Sequence, residues 1–291
     1  MSANEDRGMK IETVGVVGAG TMGSGIAQVC ATVGIDVILV DVSQGALDEG
    51  VGNIGRSLDR LIKKGQLASE ESSAILSRIR TTTDYADLSP AELVIEAATE
   101  NDQLKLRILR DIDNVLAPQA VIATNTSSIS ITRLAAATGR QDRFIGMHFF
   151  NPVPVMALVE LIRGLQTSDA TLETVRTFVE RIGKTAIVAR NSPGFAVNRI
   201  LCPMINEAIL ALQEGLASAE DIDEGMKLGC NHPIGPLALA DMIGLDTMLS
   251  VMEMFYAGFK DSKYRPALLL KEMVDAGLLG RKSGRGFYSY D

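Results

Sequence analysis

Residues 11–23 read IETVGVVGAGTMG, and this stretch decides the fold of the chain. Its first part, residues 11–17, is a β-branched run that is typical of a buried parallel strand. Three glycines follow at once, and a helical pattern then runs over residues 22–33. A second apolar run at residues 35–40 completes a strand, glycine turn, helix and strand. This order predicts a βαβ unit.

The glycine turn predicts a dinucleotide site. Gly18 permits the tight turn, Gly20 lets the backbone approach a pyrophosphate, and Gly23 lets the helix and strand pack closely. The N-terminus of the helix offers N–H groups and partial positive charge to phosphates. Asp41 ends the second strand, and we expect it to bind the adenine ribose and to repel a 2′-phosphate. The expected cofactor is therefore NAD rather than NADP. The loop predicted to hold it comprises Gly18, Ala19, Gly20, Thr21, Met22 and Gly23.

The composition narrows the class of protein. The chain has 291 residues, of which 46% are hydrophobic and 22% charged, and this length suggests two domains. A formal net charge of −8 argues against a nucleic-acid partner. The three cysteines show no C-x-x-C spacing, which indicates reduced thiols. No apolar run reaches the roughly 18 residues of a membrane span, and residues 1–10 resemble neither a signal nor a transit peptide. We expect a short unstructured lead-in there, no membrane association and a reducing, cytosol-like compartment.

Alternating strands and helices predict the fold of the first part of the chain. Further strands are expected at 93–97, 121–124, 144–149 and 186–189, with a helix at 104–116 and a polar, helix-compatible stretch at 46–77. This alternation indicates an α/β fold with a Rossmann-type, doubly wound, mostly parallel sheet. We assign residues 1–190 to this NAD-binding domain.

The pattern after residue 190 is almost wholly helical. Helices are expected at 196–212, 221–228, 237–256 and 266–276, following a break at the Pro-Gly of NSPGF. Residues 191–291 are therefore predicted to form an all-α C-terminal domain. Its segments are too apolar for four isolated helices to cover fully, which indicates that this domain has a further role.

Two residues suggest acid–base chemistry. His148 ends the strand run in RFIGMHFFNPVPV, and the carboxyl ends of such strands are where ligands bind. Hydride transfer from an alcohol needs a base that titrates near neutral pH, as histidine does. Glu160 lies in the apolar run MALVELIRG, where a carboxylate is costly unless it is paired. Pairing with a histidine would orient the ring, although His148 taken alone is equally well a core residue.

Other polar residues have weaker signals. Ser127 and its neighbours in TNTSSIS follow a strand and could present hydroxyls at the same edge, and Asn198 lies in an apolar helix start. His232 stands in the loop GCNHPIGP, where a packing or surface role is expected. No metal-ligand spacing links these residues, so no metal site is predicted.

The ordered motifs together resemble the short-chain L-3-hydroxyacyl-CoA dehydrogenase family, in particular its bacterial 3-hydroxybutyryl-CoA members. The resemblance covers nearly the whole chain. It is carried by VGAGTMGSGIAQ, IEAATE, NTSSISIT, GMHFFNPVPVM, VELIRG, NSPGFAVNRI, HPIGPLALADMIGLD and GRKSGRGFY.

This resemblance implies an activity and roles for particular residues. The activity is reversible hydride transfer between NAD and C3 of an (S)-3-hydroxyacyl-CoA, with His148 as catalytic base and Glu160 as its dyad partner. Ser127 and Asn198 are implied to bind the substrate oxygen. The positions implied to contact NAD, beyond the glycine loop and Asp41, are Glu100, Lys105, Ser127, Asn151 and Lys282. Ser57 and Lys64 are implied to contact CoA, and the family pairs as a homodimer.

Two alternatives stay open from the residues. A related sugar-acid 3-dehydrogenase shares many of the motifs, and activity with acetoacetyl-CoA against gulonate discriminates it. A non-catalytic NAD-binding sensor needs only the glycine loop and Asp41, and it leaves Glu160 among apolar residues unexplained.

Overall fold

The computed structural model describes residues 10–290, which divide into two compact units between Asn191 and Ser192. Residues 1–9 of the expected lead-in lie outside the described residues. No helix within the described range is both long and apolar enough to cross a membrane.

The first unit is an eight-stranded sheet flanked by helices, which confirms the predicted Rossmann-type architecture. The strands are β1 (Thr13–Val17), β2 (Asp36–Val40), β3 (Ile79–Thr82), β4 (Leu93–Glu96), β5 (Val121–Thr124), β6 (Phe144–Phe149), β7 (Leu158–Arg163) and β8 (Thr185–Arg190). The helices are α1 (Thr21–Thr32), α2 (Gln44–Lys63), α3 (Ser69–Ser77), α4 (Asp102–Val115), α5 (Ile131–Ala135) and α6 (Asp169–Arg181). The strand order is β3-β2-β1-β4-β5-β6-β7-β8.

The sheet is parallel except at one junction. Strands β1 to β6 are mutually parallel, β7 pairs antiparallel with β6, and β8 pairs parallel with β7. Buried Val, Ile and Leu side chains of the strands pack against α1, α2 and α6 to form the core. Each such side chain contributes about 1.5–3 kcal/mol when fully buried. The parallel strands therefore bring their carboxyl ends to one edge, where the glycine turn lies.

The second unit is helical and contains five α-helices in its described part, one more than expected. They are α7 (Val197–Gln213), α8 (Ala219–Cys230), α9 (Pro236–Ile243), α10 (Leu245–Phe259) and α11 (Leu268–Asp275). The single helix predicted over 237–256 is wrong, because Gly244 has φ +101° and separates α9 from α10. Such a φ is outside the α-helical region, and glycine adopts it without a steric penalty. The apolar faces of the helices surround a core that includes Ile205, Met252 and Phe255.

Candidate functional site

The glycine turn between β1 and α1 forms a cradle that larger residues cannot build. Gly18 has φ +103°, and a Cβ there would lie 2.6 Å from the Cα of Ala98. A Cβ on Gly23 would lie 1.7 Å from the carbonyl oxygen of Gly18, so only glycine lets the helix approach this closely. Apart from Gly20 itself and its two chain neighbours, no described residue has an atom within 4 Å of a Cβ built on Gly20. The turn therefore leaves space beside the first N–H groups of α1, as a pyrophosphate requires.

Asp41 braces this turn from the end of β2. Its Oδ2 accepts a hydrogen bond of 2.8 Å from the N–H of Ala19. A cleft of about 360 Å³ opens beside it, and Tyr85 and Arg107 also line this cleft. Burial raises the pKa of the Tyr85 phenol, and the nearby carboxylates of Asp111 and Asp41 raise it further. Tyr85 and Arg107 were not predicted from the sequence, because neither belongs to a motif.

A buried ion pair supports the adjacent strand ends. Lys105 is 1% exposed, and its Nζ lies 2.5 Å from Oε2 of Glu96, which also accepts from the Thr124 hydroxyl at 2.7 Å. The other carboxylate oxygen accepts from the N–H of Ala98 at 2.9 Å, in the backbone that crowds Gly18. The contact of Lys105 with NAD stays a prediction, and its partner within this unit is Glu96. Removing one member of such a pair costs about 3–5 kcal/mol.

Glu100 and Ser127, both predicted to touch NAD, lie together. One oxygen of the Glu100 carboxylate accepts from the N–H of Ser127 at 2.6 Å and from its hydroxyl at 2.9 Å. The other oxygen accepts from the Thr126 hydroxyl at 2.7 Å. Asn125 connects this loop to the next strand, because its Oδ1 accepts from the N–H of Phe149 at 2.8 Å. The polar loop after β5 is thereby fixed beside the end of β6.

The side chains of His148 and Glu160 contact each other, as the sequence suggested. They face each other across the antiparallel β6–β7 ladder, and Nδ1 of His148 lies 2.8 Å from Oε2 of Glu160. Glu160 is 0% exposed and His148 7% exposed, and the imidazole contacts the Phe150 ring at 4.7 Å between centroids. An ionised Glu160 favours the tautomer with hydrogen on Nδ1, which leaves Nε2 as the basic nitrogen. The geometry suits proton transfer at that nitrogen.

Basic residues of α2 line a second cleft of the first unit. The predicted CoA residues Ser57 and Lys64 lie in its wall with Arg56 and Arg60, around about 340 Å³ of space, and Asn151 lines it from the segment after β6. The three cations recur every four residues and so share one helix face. Arg56 and Arg60 were not predicted, although this spacing is a sequence signal for them.

Asn198 and Lys282 belong to the second unit. Asn198 lies half-buried in the first turn of α7. Lys282 lies in the short 3₁₀ turn Arg281–Ser283, and its Nζ donates to Oδ2 of Asp246 at 2.6 Å. This hydrogen bond lowers the pKa of Asp246. The predicted contacts of Asn198 with substrate and of Lys282 with NAD remain predictions. Within residues 10–290, no group of three or more His, Cys, Asp or Glu could hold a metal ion.

Comparisons with known proteins identify similar chains over nearly the full length. A model of the 3-hydroxyacyl-CoA dehydrogenase NAD-binding domain matches residues 13–192, and one of the 3-hydroxyacyl-CoA dehydrogenase C-terminal domain matches residues 194–290. The 3-hydroxybutyryl-CoA dehydrogenase of Bradyrhizobium diazoefficiens is 54% identical over 280 residues, covering 96% of each chain. The probable 3-hydroxybutyryl-CoA dehydrogenase of Bacillus subtilis is 50% identical over 283 residues, covering 97% of this chain and 99% of the relative. The crystal structure of (S)-3-hydroxybutyryl-CoA dehydrogenase PaaH1 from Ralstonia eutropha has 64% identity and a TM-score of 0.95, covering 97% of this chain and 100% of that one.

Proposed function

The chain belongs to the 3-hydroxyacyl-CoA dehydrogenase family of NAD-dependent oxidoreductases, and we propose that it interconverts (S)-3-hydroxybutyryl-CoA and acetoacetyl-CoA through a His148–Glu160 dyad. The observation that carries this proposal is the buried 2.8 Å contact between the imidazole and the carboxylate. Its position near the carboxyl edge of the sheet, where the glycine cradle lies, supports a shared site for acid–base chemistry and cofactor.

His148 is the base in this proposal. When bound, NAD supplies or accepts the hydride at C3 of the acyl group. During oxidation, Nε2 of His148 removes the proton of the C3 hydroxyl, and Glu160 stabilises the imidazolium that forms. Ser127 and Asn198 hold the C3 oxygen, and reduction of the ketone reverses these steps. General acid–base help of this kind contributes about 10²–10⁴-fold in rate.

The cofactor roles rest on the cradle and its supports. The loop from Gly18 to Gly23 and Asp41 bind the pyrophosphate and adenosine end of NAD. Glu100, Lys105, Asn151 and Lys282 complete the proposed set. The bracing of Ser127 by Glu100 supports a role in which the carboxylate orders the loop that faces the nicotinamide.

The basic face of α2 is proposed to bind the nucleotide end of CoA. Ser57 and Lys64 are the residues expected there, and Arg56 and Arg60 add two guanidinium groups to the same cleft. Guanidinium groups bind phosphates with paired hydrogen bonds. If Arg60 binds a phosphate of CoA, Arg60→Ala raises the KM for acetoacetyl-CoA and leaves the KM for NADH unchanged. Steady-state rates with each substrate varied in turn test this.

A homodimer through the second unit is also proposed, together with a bacterial cytoplasmic location. Large apolar side chains of that unit are exposed, among them Ile200, Met242 and Leu268. Light scattering at micromolar protein tests the association, and a monomeric mass contradicts it.

The decisive experiment is the loss of near-ultraviolet NADH absorbance with acetoacetyl-CoA. We expect rapid oxidation of NADH, slow oxidation of NADPH, and a rate with longer 3-ketoacyl-CoA thioesters that reports chain-length preference. Turnover of gulonate without turnover of any thioester would establish the sugar-acid alternative. NADH binding without turnover of either substrate class would favour a sensor.

A further inference from the structure

One buried lysine has no part in the mechanism above. Lys184 lies between α6 and β8, is 8% exposed, and donates from Nζ to the carbonyl oxygens of Val153 and Met156, each at 2.7 Å. Both carbonyls belong to the segment 151–157, which lies between β6 and β7. We propose that Lys184 is a positioning residue, whose ammonium group holds this segment in the shape that binds NAD and acyl-CoA.

The segment it holds forms one wall of the basic cleft. Residues 151–155 line that cleft opposite Ser57 and Lys64, and Asn151 begins the segment. Its tip has little packing of its own, because Val155 is 74% exposed and the side chain of Met156 is also open to solvent. Side-chain burial therefore does not fix the tip.

Two sets of contacts hold the segment instead, one with α1 and one with residues 184–185. A Cβ on Gly25 of α1 would lie 2.8 Å from Cβ of Val153, so the cofactor helix already touches the segment closely. On the other side, the Lys184 ammonium donates to two carbonyls, and the next N–H, of Thr185, donates to the carbonyl of Ala157 at 2.8 Å. The wall of the cleft is thus fixed between α1 and the start of β8.

The charge of Lys184 carries an energetic penalty at this buried position. Burial lowers the pKa of the Lys184 amine, which means that the surroundings penalise the charge. An apolar side chain would avoid that penalty. The charged group gives hydrogen bonds about twice as strong as neutral ones, and two of them converge on one short segment. We infer that the charge is retained for the geometry of this segment.

Lys184→Met tests the proposal, because it keeps most of the unbranched stem of the side chain and removes the donor. We expect KM for both NADH and acetoacetyl-CoA to rise about tenfold, because both hydrogen bonds that hold the segment are lost. The value of kcat should fall less, because the β6–β7 ladder holds His148 opposite Glu160. Lys184→Arg keeps donors at the site and should recover part of the affinity. If Lys184→Met does not fold, Lys184→Gln replaces it.

Arg140→Met is the matched control. The Arg140 guanidinium is also nearly buried in the first unit, and it donates to four carbonyl oxygens that lie outside the segment. Its loss should lower the melting temperature and leave both KM values unchanged. Equal increases of KM in the two variants would mean that Lys184 contributes only to stability, and unchanged KM values in Lys184→Met would equally overturn the proposal.

Amide exchange separates this proposal from the proposed function on which it rests. The N–H groups of Val155 and Met156 donate to the carbonyl of Pro152. In Lys184→Met we expect them to exchange faster, with no such change in Arg140→Met. If the wild-type protein fails to reduce acetoacetyl-CoA, the proposed function falls, and the exchange rates alone still decide whether Lys184 holds the segment.

Discussion

Replacing Glu160 by glutamine tests the dyad most directly. The substitution keeps the size of the side chain and removes the charge that, in the proposed mechanism, faces the imidazolium in the transition state. Two unit charges about 4 Å apart attract by about 4 kcal/mol at an effective dielectric constant of 20. Since about 1.4 kcal/mol corresponds to a factor of ten in rate, kcat should fall by up to about a thousandfold. The KM for NADH should change little, because the glycine cradle is untouched.

The assay is a stopped-flow measurement of NADH oxidation by acetoacetyl-CoA in a single turnover. NADH deuterated at the transferred position shows whether hydride transfer limits the observed rate, and that isotope effect should be fully expressed in Glu160→Gln. Glu173→Gln is the control, because Glu173 is an exposed residue of α6 in the same unit. A single-turnover rate in Glu160→Gln within about threefold of wild type would refute the reasoning, since less than 1 kcal/mol would then depend on the charge.

Three further predictions concern the cofactor site and the second unit. Gly23→Ala forces a methyl group against the carbonyl oxygen of Gly18, and such overpacking costs about 1–3 kcal/mol. Fluorescence titration should therefore show NADH binding weakened about ten- to a hundredfold. Wild-type affinity would contradict the close approach of helix and strand. Asp41→Asn keeps an oxygen that can accept from the N–H of Ala19, and it removes the charge expected to repel a 2′-phosphate. The ratio of kcat/KM for NADH to kcat/KM for NADPH should therefore fall about tenfold or more. An unchanged ratio would exclude Asp41 from cofactor selection. The hydrogen bond from Lys282 holds the pKa of Asp246 below its ordinary value, so the stabilisation is present above about pH 3.9 and is lost as the pH falls through the lower folded-state value. At pH 7 the free energy of unfolding of wild type should therefore exceed that of Asp246→Asn by under about 1 kcal/mol. The melting temperatures of the two proteins should approach each other toward pH 3, whereas a difference that does not change with pH would contradict the assignment.

Much of the fold followed from patterns that are local in the sequence. The βαβ unit around the glycine turn and the buried strands β4, β5 and β6 were predicted because each is a short apolar run between turn residues. Strand β3 was not predicted, since its IRTT sequence is polar and it lies at the edge of the sheet, where burial leaves little signal. The break at Gly244 was also missed, because a glycine inside an apolar helical pattern is often tolerated.

The candidate site was predictable in its residue types and much less in its contacts. Glu160 attracted attention because a carboxylate in an apolar run needs a partner. The antiparallel pairing that supplies His148 as that partner depends on strand direction, which no local pattern states. Lys105 illustrates the converse: a lysine on an amphipathic helix is normally solvated, and its burial beside Glu96 arises from tertiary packing alone.

The pairing of β6 with β7 has a consequence for how this protein can diverge. Backbone hydrogen bonds between the two strands set the separation of His148 and Glu160, and the length of the chain that connects the strands does not enter. Insertions or deletions in the connecting segment would therefore reshape the wall of the basic cleft while leaving the His148–Glu160 contact in place. Under the proposed function, substrate range and acid–base chemistry can therefore evolve separately within one hairpin.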